Sequence, residues 1–351
     1  MSHIAKPKVR HPSLPTNRLG LTRRDYEGSM STLCAGCGHD SITAAVIEAA
    51  WEMELEPYRV AKLSGIGCSS KTPTYFLGQA HGFNSVHGRM PAIATGAAAA
   101  NRSLDYLGVS GDGDSLSIGI GQLCHAIRRN VDMLYILENN GVYGLTKGQF
   151  SASADLGSRA KKGEVNRSEP IDPVLLALTL GCGFVARSFS GDKAQLVPLI
   201  KGGMAHQGFA LIDVVSPCVA FNDHEGSTKS YKYTRQHVEP AVEADFILPM
   251  AEITTSYQPG HVRSVRMHDG SVISFRKVPE GYDPTDRDAV YAYLRDKAGE
   301  AEVPTGLLYV DPQQETMHRV IGTVERPLVD VPFEELCPGS EKLAGIMERW
   351  R

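Results

Sequence analysis

The chain has 351 residues, 42% of them hydrophobic and 22% charged, with a formal net charge of -4. That balance is ordinary for a soluble globular protein, is long enough for one large domain plus extensions, and gives no general electrostatic reason to bind nucleic acid. No uninterrupted apolar run approaches the roughly 18 residues of a spanning helix, and Met1 to Arg10 lacks the apolar core of a secretory signal, so a cytoplasmic protein without a membrane segment is expected.

In chain order, residues 1–30 are rich in Pro, Lys and Arg and show no periodicity, which reads as an N-terminal arm able to reach a neighbouring subunit. From Ser31 the pattern alternates between strand, glycine turn and helix. Strands are predicted over Tyr58 to Leu63, Leu104 to Ser110, Val131 to Leu137, Gly183 to Ser188 and Ala210 to Val215, each short, apolar and bounded by turn residues. Helices are predicted over Gly38 to Leu55, Pro91 to Ser103, Ile118 to Arg129 and Pro173 to Leu180, the last with Asp172 as N-cap before Pro173. This alternation specifies an α/β fold, a parallel sheet with helices on both faces, over residues 31–240. Residues 241–351 are more charged and turn-rich and read as a C-terminal extension, with a hairpin from His261 to Lys277 turning at Asp269-Gly270. No fixed-period repeat or long low-complexity tract is present.

Gly111-Asp112-Gly113-Asp114 directly follows one predicted strand, and Asn139-Asn140-Gly141 follows the next. If the two strands are parallel, Asp112 and Asn140 leave the sheet at the same edge. There, glycines let the backbone approach a ligand and the following helix offers free N–H groups, a setting that suits a diphosphate. Mg²⁺ binds phosphates through one or two protein carboxylates and neutral oxygens, so Asp112, the Asn140 side chain and the Val142 carbonyl form a candidate set. The competing dinucleotide-binding motif lacks its third glycine, since Leu116 stands there, and a bare pyrophosphate would be repelled by Asp112. Taken singly, either segment is more simply a polar-capped glycine turn; the pairing favours the ligand site.

The seven cysteines are odd in number and scattered, which argues for metal binding or burial rather than a disulfide framework. Cys34 and Cys37 open a helix, while Cys68 and Cys218 each follow a predicted strand, so these four can meet beside the diphosphate edge. Four thiolates suit structural zinc or a [4Fe–4S] cluster, and spacing alone does not choose. A c-type haem site is excluded because Gly38, not His, follows Cys37. Cys124, Cys182 and Cys337 read as packing or surface thiols.

Gly111-Asp112-Gly113 followed by Asn139-Asn140 resembles the diphosphate motif of thiamine-diphosphate enzymes. The run Val142-Tyr143-Gly144-Leu145-Thr146-Lys147-Gly148-Gln149 narrows the resemblance to the β-type subunit of 2-oxoacid:ferredoxin oxidoreductases, over roughly Ser31 to Tyr233, with a weaker match at Thr305-Gly306-Leu307-Leu308. The resemblance implies thiamine diphosphate with Mg²⁺ and, on Cys34, Cys37, Cys68 and Cys218, a [4Fe–4S] cluster passing electrons to ferredoxin. The implied cofactor-binding residues are Gly65, Ile66, Gly67, Cys68 and Ser69 in one strand-end loop, His87 and Gly88 in another, and Gly111, Asp112, Gly113, Asp114, Asn140, Val142, Gly144, Leu145 and Thr146. His87 and Lys147 are its catalytic candidates, Lys147 as a partner for an anionic cofactor or a distal substrate carboxylate.

The same run, with Phe221-Asn222-Asp223-His224-Glu225-Gly226, looks most like 2-oxoglutarate-specific members. The implied reaction interconverts 2-oxoglutarate and coenzyme A with succinyl-CoA and CO₂. No pyrimidine-binding domain is recognisable, so an α-type partner chain completing an α₂β₂ assembly is expected. The alternatives are a pyruvate-specific member, a non-redox thiamine decarboxylase or ligase subunit with structural zinc, and a metal-stabilised nucleotide-binding regulatory subunit.

Overall fold

The computed structural model describes residues 11–159, 163–220, 251–268, 270–337 and 339–350. The Phe221 to Gly226 segment, Tyr233, the 240/241 boundary and Asp269 lie outside these residues.

Nine strands form one sheet: β1 (Val60–Ser64), β2 (His81–Asn84), β3 (Asp105–Gly111), β4 (Met133–Asn139), β7 (Phe184–Phe189), β8 (Phe209–Val215), β9 (Val262–Arg266), β10 (Val272–Lys277) and β11 (Glu302–Val310). Their order is β2-β1-β3-β4-β8-β7-β11-β10-β9, and β5 (Val142–Tyr143) pairs separately with β6 (Gln149–Phe150). The six strands from β2 to β7 in that order are parallel. The chain then departs from the expected parallel sheet, because β11 runs antiparallel to β7 and β9 antiparallel to β10, so the whole is mixed. The predicted hairpin is present, and its strands continue the central sheet.

The helices cover both faces. Along β4, Met133, Tyr135 and Leu137 enter one core with α2 (Met90–Ala100), α3 (Ile120–Arg128), α4 (Pro173–Thr179) and the helix Arg287–Gly299. Leu134 and Ile136 enter the other, with α1 (Gly38–Glu52) and α5 (Lys193–Ala205). This alternation is the two-residue period of a strand buried on both sides. Tyr26, within the segment read as an arm, is fully buried in the second core, and the Glu27–Phe76 bridge fastens that segment alongside. No described helix is long and apolar enough to cross a membrane.

The strand order reverses between β1 and β3, since β2 lies on one side of β1 and β3 on the other. The carboxyl ends of neighbouring parallel strands diverge at such a point and leave a crevice for ligands. Gly65–Ser69 and Gly111–Asp114 stand at those two ends.

A cluster of charged groups is buried where β7 and β8 meet α4. Arg187 on β7 pairs through Nε with Asp213 Oδ2 at 2.8 Å and through Nη2 with Asp172 Oδ1 at 2.6 Å. Asp172 also accepts the Val174 and Leu175 N–H groups as the N-cap of α4, and Asp213 Oδ1 accepts from Asn139 Nδ2 at 3.1 Å. The pair of carboxylates thus ties α4, β7, β8 and the end of β4 together. Replacing the guanidinium leaves a buried carboxylate uncompensated, so Arg187→Leu is expected to lower the unfolding free energy by about 3–5 kcal/mol in chemical denaturation. A loss below about 1 kcal/mol would show that this pairing is not what holds those elements.

Candidate active site

The turn leaving β3 carries two buried carboxylates, each collecting its own loops. Asp112 Oδ2 accepts the Gly141 N–H at 2.9 Å, the Ser153 hydroxyl at 2.6 Å and the Ser151 hydroxyl. Ser153 Oγ also lies 2.8 Å from Asn139 Oδ1, and Asn140 Oδ1 accepts from Val142 N at 3.0 Å. Asp112, Asn140 and Val142 are therefore gathered at one edge by the loop that follows β4. Burial pushes the Asp112 carboxyl up, while the two serines and backbone N–H groups pull it back. A buried carboxylate held at one oxygen beside a neutral side-chain oxygen suits a divalent cation.

Asp114 faces other loops. Its Oδ1 accepts from Gly88 N at 2.8 Å and Ile66 N at 3.3 Å and stands against His87 Nδ1, while Oδ2 accepts from Ser110 Oγ at 2.7 Å. A Cβ on Gly65 would overlap Asp114 Oδ2, which is why that loop has glycine there. His87 meets the Tyr143 ring edge-on at 6.3 Å, and the Tyr143 hydroxyl donates to the Gly113 carbonyl at 3.0 Å. Gly113 passes beneath that ring, where a Cβ would come within 2.6 Å of it.

The thiols form a third group. Cys37 is the N-cap of α1 and Cys68 that of the 3₁₀ helix Ser69–Thr74, and Cys218 follows β8. Burial pushes the Cys37 thiol far up, and Cys218, Glu138 and Cys34 push it the same way. Burial likewise raises Cys68, opposed by Lys71 and reinforced by Cys34 and Glu138. Cys37 thus lies within electrostatic reach of Cys34 and Cys218, and Cys68 within reach of Cys34, a grouping that suits a positively charged metal centre. Among the described residues, no three His, Cys, Asp or Glu side chains are grouped to hold a single metal ion. The other thiols stay apart: Cys182 is buried against the Phe184 and Phe209 carbonyls, and Cys337 is exposed.

Gly144 joins the sulfur corner to the diphosphate turn. A Cβ there would lie 3.3 Å from Cys68 Sγ and 3.7 Å from Cys218 Sγ, so the loop after Asn140 lies directly on the thiols. Beyond it, Leu145, Thr146 and Lys147 are exposed on the β5–β6 turn, and Lys147 makes no ion pair among the described residues. The chain by itself does not bring Lys147 onto Asp112 or His87.

Behind the thiols lie groups that sequence patterns missed. His39 is buried with Nδ1 2.7 Å from Ser216 Oγ and 3.4 Å from Glu138 Oε2, and with Nε2 3.2 Å from Ser69 Oγ. Burial holds its imidazole at about 4 and pushes the Glu138 carboxyl well up. Lys62, whose ammonium burial lowers to about 8, donates to the Pro73 and Phe76 carbonyls at 2.7 Å and so fixes the far end of the helix that Cys68 caps. Ser151 and Ser153 had a usable signal, since hydroxyls two apart after a strand face the same way. His39, Glu138 and Lys62 had none, because their meaning depends on burial.

Residues 65–214 match the family model of the thiamine pyrophosphate enzyme C-terminal TPP binding domain. With Gly-Asp-Gly and Asn-Asn at the carboxyl edge of a parallel sheet, this places the chain in the class of thiamine-diphosphate-binding enzymes. It is 44% identical over 199 residues to the 2-oxoacid:ferredoxin oxidoreductase subunit beta of Saccharolobus solfataricus, which takes in 56% of this chain and 65% of that one. The match thus spans less than two thirds of that relative's length. It is 35% identical over 189 residues to the 2-oxoglutarate synthase subunit KorB of Methanocaldococcus jannaschii, covering 54% of this chain and 69% of the relative. The fold is similar, with a TM-score of 0.67 and 29% identity over 90% of this chain and 94% of the other, to a 2-oxoglutarate:ferredoxin oxidoreductase from Magnetococcus marinus with 2-oxoglutarate, coenzyme A and succinyl-CoA bound. The chain belongs to the family of 2-oxoacid:ferredoxin oxidoreductase β subunits.

His39 gives a pH test. Its folded-state value of about 4 lies below the 6.5 of a free imidazole, so the stability present above pH 6.5 is lost as pH falls toward 4. That loss amounts to about 3 kcal/mol. His39→Gln should flatten this part of the profile in denaturation measured across pH, and an unchanged slope would assign it to other groups.

Proposed function

We propose that this chain is the β subunit of a CoA-dependent 2-oxoacid:ferredoxin oxidoreductase that interconverts 2-oxoglutarate, coenzyme A and oxidised ferredoxin with succinyl-CoA, CO₂ and reduced ferredoxin. The observation that carries it is Gly144, which places the loop holding Asn140 and Val142 against Cys68 and Cys218. Read this way, the diphosphate edge and the corner of Cys68 and Cys218 belong to one site. The bound 2-oxoglutarate and succinyl-CoA of the Magnetococcus marinus relative support the substrate choice over pyruvate.

In this reading Asp112, Asn140 and the Val142 carbonyl hold Mg²⁺ and the cofactor diphosphate, with Gly111 and Gly113 keeping the turn close. Ile66 lies on the loop against the cofactor, and Cys34, Cys37, Cys68 and Cys218 hold a [4Fe–4S] cluster. When bound, thiamine diphosphate supplies the electron sink for breaking the bond between the 2-oxo carbon and its carboxylate, and the cluster supplies one-electron chemistry. The chain's own part is orientation: Ser151, Ser153 and Gly141 N–H fix Asp112, and Asp114 and Tyr143 flank His87.

Lys147, exposed here, would act once a partner chain covers the β5–β6 turn. That partner is an α-type subunit carrying the pyrimidine-binding domain, in an α₂β₂ assembly working in the reducing cytoplasm. Residues 1–30 serve as an arm, 31–240 as the cofactor and cluster domain, and 241–351 as an extension.

Anaerobic purification with the partner should yield iron, acid-labile sulfide and thiamine diphosphate, and CoA-dependent reduction of a low-potential acceptor faster with 2-oxoglutarate than with pyruvate. Pyruvate preference would overturn the substrate assignment, and zinc without iron would overturn the redox reading. Serine at Cys34, Cys37, Cys68 or Cys218 should deplete iron and sulfide, whereas serine at Cys124 should not.

The hydroxyls on Asp112 give a separate test. Second partners of a metal-binding carboxylate contribute about 10–100-fold in metal affinity. Ser151→Ala with Ser153→Ala should therefore weaken Mg²⁺ binding by at least about 10-fold in calorimetry with thiamine diphosphate present. Unchanged affinity would remove Asp112 from the metal set.

A further inference from the structure

Asp112 and Asp114 sit two residues apart on the turn leaving β3, yet they have different surroundings. Asp112 Oδ2 collects three donors from the loop that follows β4, Gly141 N–H and the Ser151 and Ser153 hydroxyls. Asp114 is engaged at both oxygens and by three separate segments: Ile66 from the loop after β1, His87 and Gly88 from the turn before α2, and Ser110 from β3 itself. A carboxylate offers about four acceptor positions, and three hydrogen-bond donors together with the His87 Nδ1 contact surround this one. It is also 3% exposed, so no direction is left open for a cation or a phosphate.

We infer that Asp114 is a positioning residue: it holds His87 with Nδ1 protonated and turned into the protein, so that Nε2 is the nitrogen presented to whatever occupies the site. The imidazole geometry supports this. Nδ1 is buried in close ion-pair contact with Asp114 Oδ1, outside hydrogen-bond alignment and with no other hydrogen-bond partner, while 36% of the side chain is exposed, so the open part of the ring lies away from the carboxylate. Tyr143 also meets the imidazole edge-on, with 6.3 Å between ring centroids. A carboxylate acceptor selects the Nδ1–H form because only a donor is favourable there, and it leaves Nε2 with its lone pair. The same oxygen also binds Gly88 N–H and Ile66 N–H, so the imidazole and the Ile66 loop are set by one group.

The assignment of Asp114 stands on these contacts alone. What Nε2 faces, the thiamine cofactor, rests on the function proposed above.

The test is nitrogen-15 NMR of the full chain with labelled histidine, His87→Gln supplying the assignment, at a pH where the imidazole is neutral. The wild-type chain is expected to show His87 as the Nδ1–H tautomer, and the Nε2–H tautomer would overturn the inference without any variant. Asp114→Ala should release His87 toward the Nε2–H form that free imidazole prefers. Asp114→Asn, which keeps an acceptor oxygen of the same reach, should retain Nδ1–H. Persistence of Nδ1–H in a folded Asp114→Ala chain overturns the inference.

Adding thiamine diphosphate with Mg²⁺ should then shift the Nε2 signal of the wild-type chain. Binding measured by calorimetry without that shift overturns the orientation assigned to Nε2. Absence of binding counts against the thiamine reading, while the tautomer still decides the role of Asp114. In the assembled complex, Asp114→Ala should lower kcat at least about 10-fold with KM for the 2-oxoacid changed less, the pattern of a group acting on the reacting geometry.

Discussion

The site depends on one constraint: a carboxylate removed from water must be given donors, and the turn after β3 buries two of them. Asp112 and Asp114 are both almost fully covered, and no single loop satisfies them. Asp112 draws in the segment after β4, with Gly141, Ser151 and Ser153; Asp114 draws in the loops after β1 and before α2, with Ile66, His87 and Gly88. Leaving either unpaired would cost several kcal/mol, so the loops converge because the charges require it. Convergence of three loops at a point where the strand order reverses is what turns a sheet edge into a binding site.

The same logic extends into the sheet and behind the thiols. Arg187 neutralises Asp172 and Asp213, and Asp213 in turn orients Asn139 at the end of β4, next to Asn140. On the opposite face, Glu138 and His39 lie behind Cys37 and Cys68, coupling β4 to α1. Lys62 anchors the short helix that Cys68 caps. The cysteines are therefore mounted on elements whose ends are tied by buried polar contacts, which holds their spacing better than loops alone would.

Much of this was legible from local pattern. The five apolar strands and four helices predicted up to Val215 occur with boundaries moved by a few residues, and Asp172 caps α4 through Val174 and Leu175. Other elements were hidden for identifiable reasons. β2 is exposed and too polar to show a strand pattern, and α5 carries Pro198 and two glycines inside it. β11 reads like any apolar strand, but nothing local indicates that it reverses direction to pair with β7 and brings the C-terminal residues into the central sheet.

What the sequence determined by itself was the chemistry available: a Gly-Asp-Gly turn, an Asn-Asn turn and four cysteines at strand and helix ends, because these depend on residue type and on neighbours within a few positions. Only the tertiary structure decided how those groups are shared. It gave Asp112 the serines and Asp114 the histidine, left Lys147 in solvent, and buried His39 and Glu138 beside the thiols. Identical aspartates two residues apart carry no local signal of which loop each will bind. That distinction arises from strand order and from burial, which are properties of the whole sheet and not of any segment.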